Sequence, residues 1–188
     1  MSQPPSEPVQ AKGIPKPLQE ASDEFYMWIG HCITDWAATE SVIFQIFWKT
    51  LGCKEEQAAI VYFKSPSLET RFTLTQELVL SVLPKTESGK PIHPDLKAWN
   101  AIVSTLNDLK TVRNRIAHHP IAAYVAISDP GDILEFWFEN YVSPEERLRG
   151  KHNNIKPLVV EDLKSHHLSA LSLTTALKRF YERLSTYR

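Results

Sequence analysis

At 188 residues and 43% hydrophobic side chains, the chain is long enough for one folded domain with its own core. Its formal net charge is −1 and its pI about 6.7, which excludes a basic field spread over the whole chain. Any contact with nucleic acid must therefore come from a local patch.

No apolar run nears the roughly 20 residues needed to span a bilayer, and the N-terminus lacks the apolar stretch of a signal peptide. The expected setting is cytoplasmic, with no membrane partner. Cys32 and Cys53 lie on or just after one predicted helix, roughly 30 Å apart, too far for a mutual disulfide. Both are expected to stay reduced.

Residues 1–18 hold Pro4, Pro5, Pro8, Pro15 and Pro17 and almost no large apolar side chains, the composition of an extended, disordered tail. Residues 19–51 read as a long helix. Phe25, Trp28, Ile29, Cys32, Ile33, Trp36, Ile43 and Phe47 recur at three- and four-residue steps. Ser22 is placed to cap an inner start, and Gly52 supplies the stop. Glu40 falls within this stripe, where a carboxylate needs an edge position or a cation such as Arg71 or Arg113.

A short helix is expected over 54–63. Ser65 and Pro66 then suit the N-cap and first turn of a third helix running to about Leu83. Three prolines and a glycine make 84–94 a loop. The fourth helix runs from about Pro94 to His118, with Trp99, Ile102, Val103, Leu106 and Ala117 on one side. The period then changes to that of a strand. Residues 121–128 and 133–141 flank Asp129-Pro130-Gly131-Asp132 and read as a β-hairpin, with Leu134, Phe136 and Phe138 on one face. After a polar loop at 143–157, a last helix spans about 161–187, its buried face marked by Leu163, Leu171, Leu177, Phe180, Tyr181 and Leu184.

The fold class is all-α: an antiparallel bundle of about five helices, with the hairpin over 121–142 inserted before the last helix. It is expected as a single domain over 19–188.

The chemistry gathers at the end of the fourth helix, in Arg113-Asn114-Arg115-Ile116-Ala117-His118-His119-Pro120. At 100° per residue from Trp99, Arg113 falls about 40° to one side of the apolar face and Lys110 about 20° to the other. A guanidinium there must be paired or lie at a solvated seam. Asn114 and His118, four apart, share a face. Arg113 and His118, five apart, diverge by about 140° on a regular helix. They converge only if the helix loosens near Pro120 or if a second copy supplies the partner.

These residue types suit phosphodiester cleavage without a metal. A histidine near its reference pKa of about 6.5 can take the proton of a ribose 2′-OH or protonate the leaving oxygen. An arginine can fork onto the phosphate, and an asparagine can orient either group.

Arg113, Asn114 and His118, with His119 one residue further, resemble the signature of the HEPN superfamily (higher eukaryotes and prokaryotes nucleotide-binding): an arginine, a polar residue directly after it, and a histidine after four to six residues. The resemblance covers about 19–120 and the last helix. It implies a helical bundle that dimerises so that two motifs face each other. It also implies metal-independent RNase activity or, where activity is lost, a binding or scaffold role. Toxin–antitoxin and phage-defence systems are the settings it implies, with an antitoxin or other protein as partner.

On this reading His118 is the acid–base, Arg113 the phosphate clamp, Asn114 the orienter and His119 the reserve, supported by Glu40, Arg71 and Lys110. Arg147, Arg149 and Lys151 form a locally basic segment able to track an RNA backbone or simply to stay solvated. Trp137 and Tyr124 could stack bases or pack against the bundle. His166 and His167, early in the last helix, are expected exposed and partly buried respectively. Four imidazoles with His118 and His119 would suggest zinc, but no H-x-x-x-H spacing joins them, so no metal and no cofactor are assigned. The alternative reading is an inactive dimerisation or protein-interaction module, which the aromatic content (Trp28, Trp36, Trp48, Trp137) also suits.

Overall fold

Apolar side chains at three- and four-residue steps organise the chain around long helices. The structure, a computed structural model, describes residues 16–85, 92–118, 121–127, 133–140 and 158–187, with side chains described at 19–85, 92–117 and 158–187. The helices are α1 (Lys16–Leu51), α2 (Glu55–Lys64), α3 (Leu68–Val82), α4 (Pro94–His118) and α5 (Val160–Arg183), the last followed by a short 3-10 turn at Leu184–Tyr187. Between α4 and α5, β1 (Ile121–Ile127) pairs antiparallel with β2 (Ile133–Asn140), placing Ile121 opposite Asn140 and Tyr124 opposite Trp137. The register shifts between Ala126 and Ile127. The expected facing of Leu134, Phe136 and Phe138 lies outside the described residues, as do 1–15 of the expected tail and the 143–157 loop. Residues 16–18 of that tail are helical, so α1 starts earlier than its apolar stripe.

The bundle is all-helical at its core but not antiparallel throughout. Among the bonds that tie α1 to α5, three show their direction: the Cys32 thiol donates to the Leu163 carbonyl, Thr39 and Thr174 share a hydroxyl–hydroxyl bond of 2.9 Å, and Lys49 Nζ donates to the Tyr181 carbonyl at 2.8 Å. Residue numbers rise together on both helices, so α1 and α5 run parallel. By contrast α4 is antiparallel to α5. Asp95 takes Arg183 at 2.6 Å, Trp99 stacks on Phe180 at 5.0 Å, and Ile116 packs against the Leu163 cluster. The cause is α2. It carries the chain back along α1, with Tyr62 against Phe44 and Phe47, so α3 starts level with Glu40 rather than at the end of α1.

Several expected positions shift. Ser65 ends α2, its extended backbone (ψ 131°) fitting a residue that precedes proline. The N-cap of α3 is Ser67, whose Oγ accepts from the Thr70 N–H at 3.1 Å. Ser22 lies inside α1 and caps nothing. Ile33 (54% exposed), Leu171 (45%) and Ala117 leave the core, while Ala170, Leu173 and Thr174 take the buried face of α5. The hydroxyls of Thr39 and Thr174 are buried but satisfy one another, which removes the desolvation cost of a lone buried hydroxyl. No helix among the described residues is long and apolar enough to cross a membrane.

Candidate functional site

The last turns of α4 hold their register through burial of Leu106 and Leu109. This register sets Lys110 and Arg113 on the side facing α1 and α3. Arg113 is half-buried, with its guanidinium 5.8 Å from the centre of the Trp36 ring and its Nη1 donating to Asn114 Oδ1 at 3.1 Å. Lys110 is ion-paired with Glu69 at the start of α3. Glu40 accepts from Arg71 at 2.7 Å, and that guanidinium also lies 5.6 Å from the rings of Tyr62 and Phe63. The solvated seam that a core-side arginine requires is therefore the junction of α1, α3 and α4.

Five of the expected site residues converge here. Glu40, Arg71, Lys110, Arg113 and Asn114 line one cleft of about 430 Å³, together with Ser67 and Glu69. Its charges are three cations against two carboxylates. Glu40 is taken by Arg71 and Glu69 by Lys110. Among the described residues, Arg113 has no carboxylate partner. On its other side lies a more apolar cleft of about 380 Å³ walled by Cys32, Ile33, Trp36 and Ile116. Arg113 and Glu40 border both clefts. The arrangement can hold an anion at Arg113 beside an apolar wall.

The remaining expected site residues are not placed. His118 is the last residue of α4, its backbone helical, but its side chain lies outside the described residues. So do His119, Arg147, Arg149 and Lys151. Because α4 stays helical through His118, the offset of about 140° between Arg113 and His118 is kept. Loosening of the helix before His118 does not occur.

A second polar cluster joins α1 to α5. His167 Nδ1 lies 2.5 Å from Asp35 Oδ2, and the rings of His31 and Trp28 stand 5.4 and 5.5 Å from the His167 ring. His166 reverses the expectation of exposure. It is 4% exposed, and neither ring nitrogen has a partner among the described residues. The signal was in the sequence: His166 stands at helical steps from Leu163, Ala170 and Leu173, on the buried stripe. Cys32 is no ready nucleophile, since burial, reinforced by Asp35, pushes its thiol up to about 11. Among the described residues no group of three or more His, Cys, Asp or Glu side chains could hold a metal.

Burial pushes the His166 imidazole below its ordinary range, with the Asp35 charge opposing. The folded state thus prefers neutral His166, while the unfolded chain takes a proton near the reference pKa of about 6.5. Stability is full above that pH and falls as pH drops through it towards the folded pKa. His166→Leu should flatten this acid-side fall in thermal melts between neutral and mildly acid pH. An unchanged pH slope in that variant would remove His166 as its source.

No protein-family model, curated protein or solved structure matches this chain.

Proposed function

We propose that the chain is a HEPN-like RNA-binding domain that cleaves single-stranded RNA without a metal at the end of α4, acting as a homodimer. The observation that carries this reading is Arg113. It is braced by Trp36 and Asn114 in a cleft whose two carboxylates are already paired, which leaves a guanidinium for a phosphate. RNA brings its own nucleophile. A 2′-oxygen attacks the adjacent phosphorus as a histidine removes its proton, and the 5′-oxygen leaves with a proton from a second histidine. The products are a 2′,3′-cyclic phosphate and a 5′-hydroxyl. Arg113 holds the negative charge that builds on the phosphate oxygens, and Asn114 orients the pair.

His118 fills the acid–base role, with His119 in reserve. The regular helix through His118 favours a cleft shared by two copies, since Arg113 and His118 of one chain diverge. Arg147, Arg149 and Lys151 extend the phosphate track in this reading. A toxin or phage-defence role, with an antitoxin as partner, belongs to the same proposal. The second reading, an inactive protein-interaction module, draws on the exposed apolar side chains of α2.

Incubation of purified protein with single-stranded RNA in EDTA tests the proposal. Cyclic-phosphate ends are expected from the wild type and not from His118→Ala. Intact RNA, or full activity in that variant, would move the chain to the second reading.

A further inference from the structure

The outer face of α2 carries a pattern that the RNA reading does not use. Ile60, Val61 and Phe63 are 56%, 50% and 55% exposed, three large apolar side chains on a helix of 10 residues. Single exposed apolar residues are ordinary, whereas a contiguous set marks a contact surface. Phe63 is also held in place: its ring lies 5.2 Å from Phe44 and 5.1 Å from Tyr62, and the Arg71 guanidinium sits over it. Phe63 is therefore preorganised, which lowers the ordering cost of docking there.

The charges around this patch identify its occupant. Glu56, Ile60 and Lys64 stand four residues apart on either side of Ile60, so they form one ridge of the helix, and all three are exposed. Two such ridges lie side by side when helices cross at about −50°, the commonest packing class. Turned antiparallel about a two-fold axis near Ile60, the ridge meets its own copy with Glu56 beside the partner's Lys64 and Lys64 beside the partner's Glu56. The surface is self-complementary, as a two-fold contact requires. The helix dipole alone accounts for an acidic start and a basic end, but not for the apolar centre between them.

We infer that the α2 face is a self-association surface whose occupant is α2 of a second copy, centred on Ile60 and flanked by two reciprocal Glu56–Lys64 pairs. This contact is distinct from the shared α4 cleft of the proposed function and does not depend on RNA chemistry.

Sedimentation equilibrium of the full chain without RNA tests it, with circular dichroism as the control for folding. The wild type should dimerise. Glu56→Lys and Lys64→Glu should each weaken the dimer about tenfold or more, because each puts two like-charge contacts into the interface. An equimolar mixture of the two variants, and the double charge swap, should both recover wild-type affinity. Ile60→Asp should leave a folded monomer. A monomeric wild type, single reversals that leave association unchanged, or a mixture that fails to recover would each overturn the assignment. A dimer held through the α4 clefts instead would show itself as indifference to the reversals. Failure of the α2 contact leaves the RNA proposal standing, and failure of RNA cleavage leaves this one.

Discussion

Arg113→Ala should lower RNA cleavage by about 100- to 1000-fold, the usual cost of deleting one charged or hydrogen-bonding donor aimed at a transition-state oxyanion. The guanidinium is the one cation of its cleft, among the described residues, without a carboxylate, so its loss removes the free positive charge there. Arg113→Lys should fall between, because an ammonium keeps the charge but loses the planar fork and its seat against Trp36. The stacking on Trp36 is worth only about 0.5–2 kcal/mol, so the alanine variant should stay folded. Single-turnover rates with a melting curve on the same sample separate the two effects. An alanine variant that is folded and fully active would exclude Arg113 from the chemistry.

Trp99→Ala should cost about 3–5 kcal/mol of stability, among the larger losses expected from a single core substitution. Trp99 is fully buried and stacks on Phe180, which is also fully buried, so it joins α4 to α5 at the heart of the main core. The melting temperature should fall by about 10 °C or more for a domain of this size. Leu168→Ala, at a position 63% exposed on α5, is the control and should stay within about 0.5 kcal/mol of wild type. Chemical denaturation of both variants measures the difference. Equal stabilities would contradict the placement of Trp99 in the core.

The helices were legible because their apolar residues repeat at the period of a helix over many turns. The direction of packing was not. Stripes on α1 and α5 read the same whether the helices run parallel or antiparallel, and the difference came from the return leg of α2. The edges of those stripes also misled. Ile33 is apolar and close to the core sector, yet it lines the opening between α1 and the end of α4. His166 is polar, yet it stands within the buried face of α5. Ser65 was the expected cap of α3, but Ser67, two residues on and able to accept from the Thr70 N–H, took the role.

At the candidate site, the wheel placed Arg113 and Lys110 on the packed side of α4, and Glu40 within the α1 stripe required an edge position or a cation. The structure joins Glu40 to Arg71, so its charge is already taken although it lines the same clefts as Arg113. The reach of Lys110 to Glu69 was hidden, because it depends on where α3 begins. The Asp35–His167 contact spans two helices far apart in sequence, and no local spacing encodes it.

The central claim is that Arg113 contacts a phosphate of bound RNA. The salt dependence of RNA affinity tests it most directly, measured by fluorescence anisotropy for wild type and Arg113→Ala in EDTA on a short, 2′-deoxy-blocked oligonucleotide that cannot be cleaved. Wild-type affinity should fall steeply with salt, and the slope of log affinity against log salt should be shallower in the variant by about 0.7, the loss of one single-strand phosphate contact. Equal slopes and affinities for the two proteins, or no salt-dependent binding by the wild type, would contradict it.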